Sequence, residues 1–102
     1  MITPTINYDY SKLDGIYNHF GRVTQLEKML EESVELSHVL IQYAQGKATW
    51  QDVLKELSDN LNVALGLYHA TIEDREYVDT TMLEKQIRTL ERIEEGYYEK
   101  NK

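Results

Sequence analysis

A chain of 102 residues with 18 acidic against 11 basic side chains carries a formal charge of −7, and its length suits one domain built on one core. It shows no basic run, which excludes the electrostatic footprint of a nucleic-acid polymer partner, whereas a small phosphorylated ligand is compatible where a bound cation reverses the local field. The absence of cysteine removes disulfides, thiolate metal sites and a cysteine nucleophile.

Residues 1–8 hold β-branched residues and the single proline, Pro4, without a helical period, and predict an extended lead-in. Neither a signal-peptide pattern nor an apolar run of spanning length is present, so no membrane association and a cytoplasmic location are expected. Asp9 or Ser11 is placed to cap a short helix to about His19, with Leu13, Ile16, Tyr17 and Phe20 as its apolar stripe and Gly21 as its end. Thr24, answered by Glu27, has capping-box spacing for a second helix that runs to about Gln45 and stops at Gly46.

At roughly 100° per residue, Leu26, Met29, Leu30, Leu36, Leu40, Ile41 and Ala44 share one arc of that helix, which is expected to face inward. Glu32 lies at the edge of the arc, in line with Gln25, Lys28, Val39 and Tyr43, while Glu31 points outward as a solvated acid. A third helix is predicted from Trp50 to about Ile72, with Thr49 at its start and Trp50, Val53, Leu54, Leu57, Leu61, Ala64, Leu65 and Tyr68 inward. Glu56 falls among Val53, Val63 and Leu67, and Asn60 also falls in an apolar sector, so both need partners. Glu73, Asp74 and Glu76 suggest a turn or the mouth of the next helix. A last helix capped by Asp79, Thr80 or Thr81 would carry Leu83, Ile87, Leu90 and Ile93 to a stop at Gly96, with residues 97–102 as a frayed tail. The sum is an all-α bundle of three main helices plus a short N-terminal one, in a single domain small enough that at least a dimer is expected.

The chemistry concentrates in two acid pairs. Glu32 and Glu35 stand one turn apart on one helix, and Glu56 and Asp59 one turn apart on the next. If the helices pair, four carboxylates converge and repel one another unless a cation joins them. Oxygen donors without thiolate favour Mg²⁺, or Mn²⁺, over zinc. The competing account is a structural network in which Lys28, Lys85 or Arg88 pairs with the acids. Glu35 and His38 form one Glu-x-x-His, but a di-iron carboxylate bundle wants two, and His38 lies on the outer face. His19 and His69 show no partner pattern, and no nucleophile-and-base signature exists. The tyrosines read as core or interface rings.

Phe20-Gly21, Gln25-Leu26, Glu31-Glu32-Ser33-Val34-Glu35-Leu36, Lys55-Glu56-Leu57-Ser58-Asp59 and Lys85-Gln86-Ile87-Arg88 with Arg92-Ile93 together resemble the MazG-like all-α nucleoside triphosphate pyrophosphohydrolases, over roughly residues 17–94. The resemblance implies a homodimer or homotetramer that cleaves the α–β phosphoanhydride of a nucleoside triphosphate to a monophosphate and pyrophosphate. It implies Glu32, Glu35, Glu56 and Asp59 as Mg²⁺ ligands, and Lys85, Arg88 and Arg92 as the basic C-terminal helix at the phosphates. Asn60 departs from the aliphatic residue usual at its position and bears on the base pocket. Lys28, aligned with Glu32, is a further phosphate-contact candidate from its wheel position, and Glu35 the candidate to accept the proton of an attacking water. The alternative class is a non-catalytic acidic helical bundle, an assembly or adaptor module.

Overall fold

The computed structural model describes residues 9–97. They form three α-helices and no strand: α1 (Tyr10–Ala44), α2 (Trp50–His69) and α3 (Ile72–Glu94). The all-α expectation holds, and no described helix is long and apolar enough to cross a membrane. The predicted lead-in at residues 1–8 and the tail after Tyr97 lie outside the described residues. The chain divides into two units, Met1–Ala70 with α1 and α2, and Thr71–Lys102 with α3.

Asp9 caps α1: its carboxylate accepts from the Ser11 hydroxyl at 2.6 Å and from the Lys12 backbone N–H at 3.3 Å. These bonds, the hydroxyl's first, hold the Asp9 carboxyl below its ordinary range. The separate short leading helix is not seen. Residues 10–20 are instead the first leg of α1, and the expected boundary survives as a break at Gly21, whose φ of 80° and ψ of 168° are open to glycine almost alone. At the far end Gly46 takes φ 73°, with its N–H bonded to the Tyr43 carbonyl at 3.0 Å and the Lys47 N–H to that of Gln42 at 2.8 Å. This is the Schellman closure that the glycine's place in the sequence predicts.

α2 begins with a full capping box. The Asp52 N–H donates to the Thr49 hydroxyl oxygen at 3.1 Å, and the Thr49 N–H donates to the Asp52 carboxylate at 2.8 Å. The Thr49 N–H and then its hydroxyl hold the Asp52 carboxyl below its usual range. The stabilisation is therefore present above the ordinary carboxylate pKa and lost as the pH falls through the folded-state value. Thr49→Ala is expected to cost about 1 kcal/mol. For a domain of this size that lowers the melting temperature at neutral pH by about 4–8 °C, with the deficit shrinking in acid. Circular dichroism melts of the two proteins at both pH values check it.

α3 starts well before the predicted Asp79 to Thr81. Thr71 is its cap, accepting from the Asp74 N–H at 3.0 Å, and Glu73 and Asp74 fall in the first turn. Of the two readings of these acids, a turn or a helix mouth, the second holds: Glu73 and Asp74 are helix-opening residues, favourable beside the free N–H groups there. Gly96, at φ 70°, closes α3 as expected, with the Tyr97 N–H on the Arg92 carbonyl at 2.9 Å.

In the first unit α1 and α2 form an antiparallel hairpin, turned through residues 45–49, with the rings of Tyr43 and Trp50 5.5 Å apart beside the turn. Its seam corrects the expected one. The buried residues are Gln25, Glu32 and Val39 on α1, spaced by two turns, and Val53, Val63 and Gly66 on α2. Leu26, Leu30, Leu40 and Ile41, and Trp50, Leu54, Leu57 and Leu61, expected inside, are exposed. Two helices share one narrow line of contact, so only one stripe of each is buried, and here it is not the leucine arc. The predicted apolar faces exist, but they flank the seam.

Candidate metal centre

The seam places the acids. Two turns along α1 from Gln25 comes Glu32, 4% exposed, and the neighbouring turn brings Glu35 to the same side. Across from them α2 presents Glu56, half-buried beside Val53. Each of Glu32, Glu35 and Glu56 offers a carboxylate oxygen within 4.8 Å of the others. Such a group of oxygens is within reach of one divalent cation. Oε2 of Glu32 and Oε2 of Glu56 are buried and accept no hydrogen bond. Leaving a buried charged acceptor unsatisfied costs upward of about 1–3 kcal/mol, which makes the pair of orphaned oxygens the unbalanced feature of the hairpin.

Lys28 is ion-paired with one of the three acids. Lys28 Nζ lies 3.0 Å from Glu32 Oε1 and 3.7 Å from Glu31 Oε1. The bond to Glu32, with the charge of Glu31 behind it, pushes the Lys28 ammonium above its ordinary value. Glu35 moves the other way from a stabilised acid: the charge of Glu32 first, then partial desolvation and the charge of Glu56, raises its carboxyl above the usual range. A raised carboxyl keeps its proton longer in the folded chain than in the unfolded one, so its contribution to stability falls as pH rises from 4.5 through the folded-state value. Glu35→Gln is therefore expected to raise the melting temperature of metal-free protein at neutral pH and to change it little near pH 4. Paired melts in a chelator decide this, and a lower melting point at neutral pH would contradict it.

The other predicted residues are not members of the trio. Glu31 is exposed, as its wheel position indicates. Asp59, half-buried one turn after Glu56, is outside the trio. Asn60 finds a partner across the seam: its Nδ2 donates to Ser33 Oγ at 3.3 Å. Lys85, Arg88 and Arg92 lie on α3 in the second unit, where the Arg92 guanidinium stands 5.1 Å from the centroid of the Tyr97 ring.

Other groups become legible only in three dimensions. A polar pocket of about 310 Å³ opens beside Glu35 and Glu56 toward the turn and gathers His38, Lys47 and Lys55. Their spacing along the sequence gives no sign of this, because they come from both helices and the turn. His69, which shows no partner pattern in the sequence, ties the end of α2 to the first leg of α1: its Nδ1 lies 3.0 Å from Asp14 Oδ1, and Tyr10 stacks on its ring at 4.2 Å. Compared with family models, curated proteins and solved structures, the chain matches none.

Proposed function

We propose that the chain is an Mg²⁺-dependent nucleoside triphosphate pyrophosphohydrolase, cleaving the α–β phosphoanhydride to give a nucleoside monophosphate and pyrophosphate. The observation that carries the reading is the acid trio with its two orphaned buried oxygens, on Glu32 and Glu56. The donor set fits the ion: carboxylate oxygens alone, with Glu35 on the exposed side leaving room for the waters that Mg²⁺ retains. The order of acid motifs along the chain supports the same class through its resemblance to MazG-like enzymes. Mn²⁺ would substitute.

Glu32 and Glu56 would hold the cation from the buried side and Glu35 from the exposed side. Bound there, the ion would supply charge neutralisation at the phosphates and orientation of a water. Glu35, the most exposed of the three, accepts that water's proton as the water oxygen bonds to phosphorus and the bridging P–O bond breaks. Lys28 exchanges Glu32 for a phosphate oxygen. Working as a homodimer or homotetramer covers the exposed leucines beside the seam.

The 3.0 Å ion pair of Lys28 with Glu32 favours a second reading, a non-catalytic acidic assembly module in which lysine balances the acids. A panel of canonical, deoxy and modified nucleoside triphosphates, assayed with Mg²⁺ for pyrophosphate, separates the two. Release from at least one nucleotide, lost in chelator, is expected. Silence across the panel would leave the assembly module.

A further inference from the structure

Beyond the acids, the groove between the first leg of α1 and α2 opens into a cavity of about 610 Å³, within the range of small-molecule sites. Its walls are mainly apolar, with Ile16 and Phe20 on one side and Gly66 on the other. Three observations say that it is built for an occupant. Gly66 is a buried residue in the last turn of α2, yet a Cβ added there would meet nothing within 4 Å. Packing therefore does not demand glycine, which costs the helix about 0.5–1 kcal/mol relative to alanine, and the space it leaves belongs to the cavity. Gln25 is only 5% exposed and lines the same space, and no described residue satisfies its amide by a hydrogen bond. Lys28, the partner of Glu32, lines the cavity as well, so the cavity and the acid trio meet at one side chain.

We propose that this cavity holds the nucleobase of a nucleotide, with Gln25 as the residue that reads the edge of the base. A buried primary amide presents a donor and an acceptor side by side, and an alkyl occupant would leave both unmet. A heteroaromatic ring meets both with one edge while its faces lie against Phe20 and the bare wall at Gly66. Asn62, also on the lining, presents a second amide at the rim. Lys28 then stands where base-plus-sugar gives way to phosphate. The assignment rests on the acid trio being a nucleotide site, but base binding itself needs neither metal nor turnover.

The test uses the metal-free full chain, titrated with each of the common nucleosides and followed by amide chemical shifts. At least one nucleoside is expected to shift Ile16, Gln25 and Gly66. Gln25→Leu should weaken that binding about tenfold, as for one lost buried hydrogen-bonded group. Ile16→Trp, at an exposed position that tolerates a larger ring, should abolish it by filling the cavity. Gly66→Ala should weaken it while raising the melting temperature. No shift with any nucleoside at millimolar concentration, or binding indifferent to Ile16→Trp, overturns the assignment. Nucleotides that bind through these residues yet release no pyrophosphate would sink the hydrolase reading and leave the base site standing.

Discussion

Glu56→Gln is expected to abolish Mg²⁺-dependent pyrophosphate release, by about 100-fold or more, while the helical content stays intact. The amide keeps the shape of the side chain and removes one of three converging charges, on the residue whose Oε2 is buried without a hydrogen bond. The same substitution should remove the thermal response to metal. A cation held at ten times its dissociation constant stabilises a fold by about 1.4 kcal/mol. For a chain this small that is a rise of about 6–11 °C in the melting temperature. The wild type should show that rise with Mg²⁺ and the variant should not. Turnover undiminished by Glu56→Gln would dispose of the site, and a wild-type melting curve indifferent to millimolar Mg²⁺ would favour the lysine-balanced network.

In solution the chain is expected to be a dimer or tetramer, and Leu30→Glu combined with Leu61→Glu should break it to monomers. Leu30 is 69% and Leu61 42% exposed, and they belong to apolar arcs that continue through Ile41, Leu54 and Leu57. Burying a leucine is worth about 1.5–3 kcal/mol, so two charged replacements should raise the dissociation constant by at least about 100-fold. Light scattering after size exclusion measures this. A second copy is the occupant proposed because the hairpin alone buries three hydrophobic side chains among its described residues, Val39, Val53 and Val63, too few for a chain of this length to stand on. A wild type that runs as a monomer at high concentration would refute it.

How far the sequence could be read differs from element to element. Gly46 and Gly96 were legible as stops because a positive φ at a helix end is local chemistry, and Thr49 as a cap because its partner Asp52 is three residues away. The start of α3 was misplaced for the opposite reason. Glu73 and Asp74 suit a turn and a first helical turn equally well, and Thr71 as the cap decides between them. Gln25 appeared as a residue aligned with Glu32 and within the Gln25-Leu26 pair of the resemblance, in neither case with a role, since an amide on a wheel has no stated purpose until a cavity stands in front of it. His69 was invisible because its carboxylate partner, Asp14, lies on the other helix of the hairpin.

From the sequence alone came an all-α chain, the stops at Gly46 and Gly96 and the cap at Thr49, and two acid pairs each on one helical face. Period and capping depend on neighbours within a turn or two, which is why they survive without a structure. Only the tertiary structure decided which line of each helix faces the other. Hydrophobicity by itself would turn the leucine arcs inward, yet the seam runs through Gln25, Glu32 and Val39 against Val53, Val63 and Gly66. That choice carried Glu32 from the edge of an arc to 4% exposure and set it beside Glu35 and Glu56, with Asp59 outside the group. The physical reason is that a hairpin buries one stripe per helix, and the stripe buried here is the one that also holds Glu32.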